Sequence, residues 1–306
     1  MATTVGAPAR QRRKPVTPYL LLIPAVAALL LGLGYPVYWQ IVTSFQKFGL
    51  AQQFGQPPTF AGLDNYARIF SDSDAFAVVV RSIIFCLVNA LITVVVGLLV
   101  ALLMRAVHGW VKIVVQIAML LAWATPVIAA VTVFRWLFDD RSGVVNYLLV
   151  KIGLTSYQGH AWLATPMSFF FVATLIIVWM SVPFVALSLF AGLTQVNDEL
   201  IEAARIDGAT NGQILWRILM PLVRPVLAIV LLLQIIWDLR VFAQIRLLQD
   251  AGAPVSETNL LGNFIYELGM ARNNFGGAAA VSIFVLVLTI VLSAPYVRSL
   301  MKEDES

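Results

Sequence analysis

Side chains that could carry chemistry are scarce in this chain, and several of them lie in one polar stretch. Of 306 residues only 12% are charged, two are histidines and one, Cys86, is a cysteine. Residues 201–225 read IEAARIDGATNGQILWRILMPLVRP and include Glu202, Asp207 and three arginines. Acidic and basic groups without histidine or cysteine are poorly suited to transition-metal binding or nucleophilic catalysis. The stretch therefore favours ion pairing across an interface.

Other kinds of chemistry are excluded by what the sequence lacks. It contains no G-x-x-x-x-G-K-[ST] phosphate loop, so we expect this chain to bind no nucleotide and no other cofactor. His108 and His160 are too few for a histidine-rich metal centre. The net charge of +4 is not gathered into a stripe, which argues against a nucleic-acid partner. The densest basic group, at residues 10–14, is more simply a membrane-orientation signal.

The apolar composition requires a lipid environment. Sixty per cent of the residues are hydrophobic, against roughly 45–50% in soluble domains. A spanning helix needs roughly 20 mainly apolar residues, and six segments meet this requirement. The predicted spans are Tyr19–Gln46, Ser82–Met104, Ile113–Phe134, Ser168–Gly192, Pro221–Gln244 and Asn273–Val297.

The distribution of Lys and Arg predicts the orientation. With the N-terminus inside, eleven basic residues lie on the cytoplasmic side and nine outside, and the basic N-terminal tail precedes the first span. We therefore predict cytoplasmic tails at residues 1–17 and 301–306, flanking a six-helix membrane domain at 18–300. The loop over residues 194–221 then faces the cytoplasm.

Two ionisable residues, Asp238 and Arg240, fall within the predicted fifth span. Asp238 follows Pro221 by 17 residues, which is roughly 26 Å along a helix and close to the outer edge of a roughly 30 Å hydrocarbon layer. If the span is counted from Pro225 instead, Asp238 lies deeper in the hydrocarbon layer. It is either an outer-edge residue or a hydrogen-bond acceptor for solute hydroxyls. Arg240 is expected to extend its side chain to the outer interface.

The polar stretch itself predicts two short helices. Asn197 is a good first N-cap, with acidic residues in the following turn. Gly208 can take the left-handed conformation that ends the helix, and Thr210 with Gln213 forms a capping-box pattern for the next helix. An apolar stripe follows, formed by Ile214, Leu215, Ile218 and Leu219. This pattern is compatible with a connector on the membrane surface or with a docking site for a soluble partner.

The order of residues in the stretch resembles a family motif. Glu202-Ala203-Ala204, Asp207-Gly208-Ala209 and Gln213, followed by Ile218, Pro221 and Pro225, resemble the EAA loop of binding-protein-dependent ABC importer permeases. Leu215 and Met220 depart from the usual Phe and Leu but stay apolar. In that family the loop docks into the cytoplasmic ATPase and couples it to the spans. The resemblance assigns this docking role to Glu202, Ala203, Ala204, Arg205, Asp207, Gly208, Ala209 and Gln213.

Other stretches resemble the maltose-type, or MalF-like, sugar permeases of the same family. They are Phe60–Tyr66 before the second span, Trp136–Phe138 with Gly143 and Asn146 after the third, and Thr258, Tyr266 and Asn274–Gly276 before the last. The resemblance implies an all-α, six-span type I importer permease of the MetI/MalF-like fold in the cytoplasmic membrane. It implies as partners a second, MalG-like permease, an ATPase dimer that binds ATP and Mg²⁺, and an extracytoplasmic sugar-binding lipoprotein.

The resemblance also implies a substrate pathway. The sugar-facing positions of maltose-type permeases fall on Trp123, Val127, Met180, Phe184, Trp237, Asp238 and Val241. Two valines replace polar residues of the maltose case, so the hydrogen-bonding pattern differs and maltose is not expected. Within the family the chain most resembles trehalose-importer permeases of mycobacteria, which makes a disaccharide such as trehalose the expected solute.

Two other functions remain alternatives at the level of sequence. A stand-alone secondary transporter would use Asp238 and Arg240 for ion coupling, but we find no clear internal repeat of the spans. An integral-membrane enzyme would need a catalytic cluster of His, Cys or carboxylates, which the sequence does not offer. The non-catalytic permease subunit is therefore the leading hypothesis.

Overall fold

Helices make up most of this chain, because long apolar segments in lipid must pair their backbone polar groups internally. The computed structural model describes residues 17–303. Within that range the helices are α1 (Thr17–Leu29), α2 (Tyr35–Ser44), α3 (Leu50–Gln53), α4 (Asp64–Ser71), α5 (Ser73–Ala106), α6 (Gly109–Trp123), α7 (Val127–Leu137), α8 (Val144–Lys151), α9 (Pro166–Thr194), α10 (Asp198–Ile206), α11 (Asn211–Ile214), α12 (Met220–Leu239), α13 (Ala243–Gln249), α14 (Val255–Thr258), α15 (Leu261–Tyr266) and α16 (Phe275–Glu303).

Short irregular elements connect these helices. Three π-helical turns (Leu30–Gly34, Leu215–Leu219 and Glu267–Ala271) continue helices, and Thr155–Tyr157 forms a 3-10 turn. Two short strands, β1 (Gln46–Lys47) and β2 (Thr59–Phe60), pair in antiparallel orientation. The predicted tails at residues 1–16 and 304–306 lie outside the described residues.

Five helical stretches of the described chain are long and apolar enough to cross a membrane. They are Leu20–Ser44, Ser73–Ala106, Pro166–Thr194, Asn211–Gln249 and Phe275–Pro295, and a sixth results if α6 and α7 are counted as one bent span. The first, second, fourth and sixth predicted spans therefore correspond to helical stretches whose ends are shifted. The largest shift is in α5, which begins at Ser73 rather than at Ser82.

The predicted third span, Ile113–Phe134, corresponds to the bent pair α6 and α7 and is not one straight helix. The chain bends by 99° between α6 and α7, and Pro126 stands at the N-cap of α7 in an extended conformation. Proline has no backbone N–H to donate and disfavours a helical conformation in the residue before it. The apolar composition predicted a span here, and the proline breaks it.

The predicted fifth span, Pro221–Gln244, lies within the helical stretch Asn211–Gln249 but is interrupted near its far end. Helix α12 ends at Leu239, and Arg240 is its C-cap. The chain leaves helical geometry at Phe242 (φ −135°, ψ −60°) before α13 begins. At the near end, α11 continues through the π-helical turn Leu215–Leu219 into α12. The span is thus helical from the polar loop to Leu239 and then breaks.

Helices α5 and α9 form the centre of the bundle. At Gly97 of α5 an added Cβ would lie 2.6 Å from Cγ1 of Val185 on α9, so only glycine permits this approach. Helix α12 packs against both, placing Val223 and Val230 in the same buried cluster as Val185 and Leu189. The first span is much less buried than the others. Its N-terminal part, residues 20–33, is exposed, whereas α2 packs on α16.

Two of the family-like motifs meet at one end of the bundle. The Asn65 Nδ2 donates to the carbonyl oxygens of Ser44 and Gln46, both at 2.9 Å. The Gly276 N–H donates to the Phe48 carbonyl at 2.9 Å, and a Cβ at Gly276 would clash with the Gln46 carbonyl. These contacts join α4, the β1 strand and the start of α16, which gives Asn65 and Gly276 a structural role.

Candidate functional site

The polar stretch forms two capped helices, which we call the α10–α11 segment (residues 197–219). The Asn197 Oδ1 accepts from the Glu199 N–H at 3.0 Å and begins α10. Gly208 has φ +83°, and its N–H donates to the Arg205 carbonyl at 3.0 Å. The predicted N-cap and the left-handed glycine are therefore confirmed.

The second helix of the segment begins with the predicted capping box. The Thr210 N–H donates to Gln213 Oε1 at 2.8 Å, and the Gln213 N–H donates to Thr210 Oγ1 at 3.3 Å. Ile214 and Leu219 are buried, while Leu215 and Ile218 are half-buried. The apolar stripe thus anchors the segment to the bundle and leaves its polar side free.

The residues assigned to docking lie mainly on the exposed side of this segment. Ala204 and Ala209 are half-buried, whereas the others are exposed: Glu202, Ala203, Arg205, Asp207, Gly208 and Gln213. Within residues 17–303, Glu202, Arg205 and Asp207 have no ion-pair partner in this chain. Ile206, which the sequence reasoning did not single out, is 86% exposed. Exposed charges of both signs around an apolar side chain can make complementary contacts with another protein.

One arginine outside the stretch connects it to the bundle. Arg105, in the last turn of α5, donates from Nη1 to the Leu193 carbonyl and from Nη2 to Asp198 Oδ1, each at 3.1 Å. Leu193 lies in the last turn of α9, and Asp198 lies in the first turn of α10. Arg105 is one of the eleven basic residues that the predicted orientation places on the cytoplasmic side. Its role depends on residues 88 and 93 positions away.

Three of the predicted pathway residues form one aromatic surface. The Phe184 ring lies 6.2 Å from Trp123 and 5.0 Å from Trp237, measured between centroids. Trp123 and Trp237 are 54% and 41% exposed, so two of the rings leave large faces uncovered. The residues come from α6, α9 and α12, and the bend after Trp123 ends α6 at this place.

Three further predicted residues belong to an apolar cluster. Val241 is buried in it, and Val127 and Met180 pack against it half-buried. The break after α12 places Val241 beyond the helix, next to α13. These positions supply apolar walls and no hydrogen-bonding side chain.

Asp238 lies apart from the aromatic surface although it is adjacent to Trp237 in sequence. It is 3% exposed, and its Oδ1 accepts from Gln234 Nε2 at 2.9 Å. Its Oδ2 has no partner among the described residues, nor do Gln234 Oε1, Asn89 Oδ1 and Thr93 Oγ1. Asp238 thus lies inside the helix packing together with buried polar groups. Arg240 is exposed, as expected.

A sequence model for the family described as "binding-protein-dependent transport system inner membrane component" matches residues 93–298, which is more than half of the chain. The chain belongs to this family. It is therefore a multi-pass membrane component of a transport system and not its catalytic subunit.

Relatives and solved structures agree with this assignment. The permease is 40% identical to the diacetylchitobiose uptake system permease protein DasB of Streptomyces coelicolor, over 97% of this chain and 90% of that one. It is 30% identical to the trehalose/maltose transport system permease protein MalF of Thermococcus litoralis, over 92% of each. A bacterial alginate ABC importer structure superposes with a TM-score of 0.78 at 23% identity, over 94% of this chain and 95% of that one. The predicted all-α permease fold is confirmed.

Several side-chain hydrogen bonds hold the connection between α7 and α9, which includes α8. The Asn146 Nδ2 donates to the Asp140 and His160 carbonyls at 3.3 and 3.0 Å, and its Oδ1 accepts from the Trp162 indole at 2.6 Å. Asp139 Oδ1 accepts from the Ser142 N–H and hydroxyl, both at 2.8 Å, and the Ser142 N–H is the main cause of the lowered pKa of Asp139. A Cβ added at Gly143 would clash with the Asp139 carbonyl oxygen. The Gly143 and Asn146 motif positions therefore have structural explanations.

Gln234 and Asn89 are two further buried polar residues of the bundle. Gln234 precedes Asp238 by one helical turn, the spacing at which a glutamine can donate to a carboxylate. That spacing is visible in the sequence and could have identified the pair. The Asn89 Nδ2 donates to the Phe85 carbonyl within α5 at 2.8 Å, so this bond does not join two helices.

Proposed function

We propose that this chain is one of two membrane subunits of an ATP-driven sugar importer, coupled to a cytoplasmic ATPase by its α10–α11 segment. The observation that carries the proposal is the exposed side of that segment. Glu202, Arg205 and Asp207 are exposed and have no ion-pair partner among residues 17–303, and Ile206 projects among them. We infer that another protein covers this surface, because an exposed apolar side chain among charged groups would then be buried in an interface.

The segment has the mechanical properties that coupling requires. Both of its helices are capped, the left-handed Gly208 joins them, and its apolar side is buried against α5, α9 and α12. Because α11 continues into α12 through Leu215–Leu219, a push on the segment is transmitted directly to a span. Packed helices move as units, so the push turns the spans together.

An ATP-driven importer needs further subunits besides this chain. We propose as partners a second permease of similar fold, an ATPase dimer that binds ATP and Mg²⁺, and an extracytoplasmic sugar-binding protein. The alginate importer structure described in complex with a pentasaccharide-bound periplasmic protein is a precedent for the last. Both termini and the α10–α11 segment are placed on the cytoplasmic side, in keeping with the basic N-terminal tail.

The substrate class follows from the aromatic surface and the relatives. Flat aromatic rings cover the apolar C–H faces of sugars, and Trp123, Phe184 and Trp237 supply three rings from three helices. The named solutes of two relatives are diacetylchitobiose and trehalose/maltose. We therefore propose a disaccharide, with trehalose and diacetylchitobiose as the first two to test, and Val127, Met180, Asp238 and Val241 as further pathway residues.

Reconstitution of the complete assembly in liposomes tests the proposal. We expect binding-protein-dependent uptake of a disaccharide that requires ATP on the ATPase side. Asp207→Lys and Gly208→Pro should each lower uptake at least about tenfold, the effect of losing one interfacial charge-assisted contact, while the chain still inserts. Asp74→Lys, an equally exposed charge reversal at the start of α5, is the control and should transport normally.

The alternative of a stand-alone secondary transporter gives a different result. Uptake driven by an ion gradient, with this chain alone in the liposomes, would support it and reject the proposal. Normal uptake by both α10–α11 variants would reject the coupling role while leaving the permease assignment intact.

A further inference from the structure

Arg105 joins three helix ends through one guanidinium group. It occupies the last turn of α5, and its two terminal nitrogens bind the Leu193 carbonyl of α9 and the Asp198 carboxylate of α10. Carbonyls in the last turn of a helix lack intrahelical donors; that of Leu193 also receives a long bond, 3.4 Å, from the Val196 N–H. The positive charge of Arg105 is also favourable near the C-terminal ends of α5 and α9, where the helix dipoles are negative.

The position of this contact distinguishes it from an ordinary surface ion pair. A cleft of about 470 Å³ separates part of the last turn of α5 from α10–α11, with Leu102 and Ala106 on one wall and Ile201 and Ile214 on the other. The Arg105 side chain crosses beside this cleft and is only 20% exposed. It is therefore a link between the bundle and the segment at a place where packing is incomplete.

We propose that Arg105 is a positioning residue for coupling, which makes α5, α9 and α10 move as one unit when the ATPase displaces the segment. This inference rests on the function proposed above and adds a second route of transmission to the α11–α12 connection. Through the α11–α12 connection the segment moves the fifth span; through Arg105 it also moves the second and fourth spans. Without the guanidinium, α10 can shift across the cleft while α5 stays behind.

The two arms of the guanidinium differ in strength. Asp198 is 87% exposed, so water and salt screen its ion pair strongly. The Leu193 side is sheltered, and a charge-assisted bond to a sheltered carbonyl is the stronger one. Lysine cannot reproduce the planar fork that serves both acceptors. We therefore expect Arg105→Gln to impair coupling most, Arg105→Lys less and Asp198→Asn least.

The test is the ratio of sugar imported to ATP hydrolysed by the reconstituted assembly. We expect Arg105→Gln to lower this ratio about tenfold, with a melting temperature of the assembly close to that of the wild type. Arg105→Lys should give an intermediate ratio, and Asp198→Asn should stay within about twofold. Arg135→Gln, at an exposed arginine in the last turn of α7 with no side-chain hydrogen bond in the described chain, is the matched control.

A distance measurement keeps the test independent of protein yield. Spin labels at the exposed positions 103 and 199 report the separation of α5 from α10. In the wild type this separation should stay constant between nucleotide-free and ATP-trapped assemblies, and in Arg105→Lys it should change. A wild-type change of more than about 5 Å, one helical turn, overturns the proposal.

The outcomes also separate this inference from the proposed function. A wild-type assembly without ATP-driven uptake rejects the proposed function itself. A transporting wild type with an unchanged ratio in Arg105→Gln rejects only the role of Arg105. A ratio that falls together with the melting temperature, in proportion across the variants, assigns Arg105 to folding and also rejects coupling.

Discussion

The turn at Gly208 gives the sharpest test of the coupling role proposed for the α10–α11 segment, because one backbone angle sets the expected magnitude. Gly208 has φ +83°, and an added Cβ would meet nothing within 4 Å. Gly208→Ala therefore introduces backbone strain without a steric clash. A left-handed conformation costs a non-glycine residue about 1–2 kcal/mol. That cost lowers the population of the native turn about 5- to 30-fold relative to alternatives.

A series of substitutions at this position should follow the tolerance for positive φ. Asn adopts the left-handed region more readily than Ala, and β-branched residues do so least. We expect ATP-driven uptake to fall in the order Gly, Asn, Ala, Val. Gly208→Pro should be worst, since proline fixes φ near −65° and removes the N–H that donates to the Arg205 carbonyl.

The assay combines uptake by the reconstituted assembly with amide hydrogen exchange over residues 203–214. Faster exchange in this region should accompany each loss of uptake. The control is Gly212→Ala, within α11, where φ is not positive and the nearest atom to an added Cβ is Thr210 Oγ1 at 4.0 Å. Alanine there should help the helix. If Gly208→Ala matches that control in uptake and exchange, the turn is not what positions the segment.

Three further predictions address packing and the site. Gly97→Ala should destabilise the solubilised protein by about 1–3 kcal/mol in thermal unfolding, and adding Val185→Ala should recover most of the loss; no recovery would contradict the α5–α9 contact. Asp238→Asn should keep the Gln234 bond and most uptake, whereas a loss beyond about tenfold would reveal a direct hydrogen bond to sugar. Asn146→Leu leaves its three partners unpaired and should lower unfolding stability by about 1–3 kcal/mol; an unchanged melting curve would refute this.

Short-range signals in the sequence predicted the α10–α11 segment well. An N-cap, a capping box and a left-handed glycine each depend on residues two to four positions apart. All three occur as expected around Asn197, Thr210 and Gly208. These features depend on local contacts rather than on tertiary packing, so the sequence pattern is sufficient to predict them.

The span boundaries were less predictable, because hydropathy averages composition over a window and takes no account of backbone breaks. Pro126 contributes little to the average of residues 113–134, yet the helix bends by 99° there. The break after Leu239 has no proline or glycine to mark it. It depends on how α13 packs against α7 and α9. Arg105 was missed for a similar reason, since its partners are distant in sequence.

The predicted pathway shows where a linear reading reaches its limit. Trp237 and Asp238 were assigned to one solute-facing surface, but neighbouring residues of a helix point about 100° apart. In this conformation Trp237 is 41% exposed beside Phe184, and Asp238 is 3% exposed beside Gln234. Both can face a solute only if α12 turns about its axis during transport. Because α12 continues directly from the α10–α11 segment, the proposed coupling to an ATPase would drive that rotation.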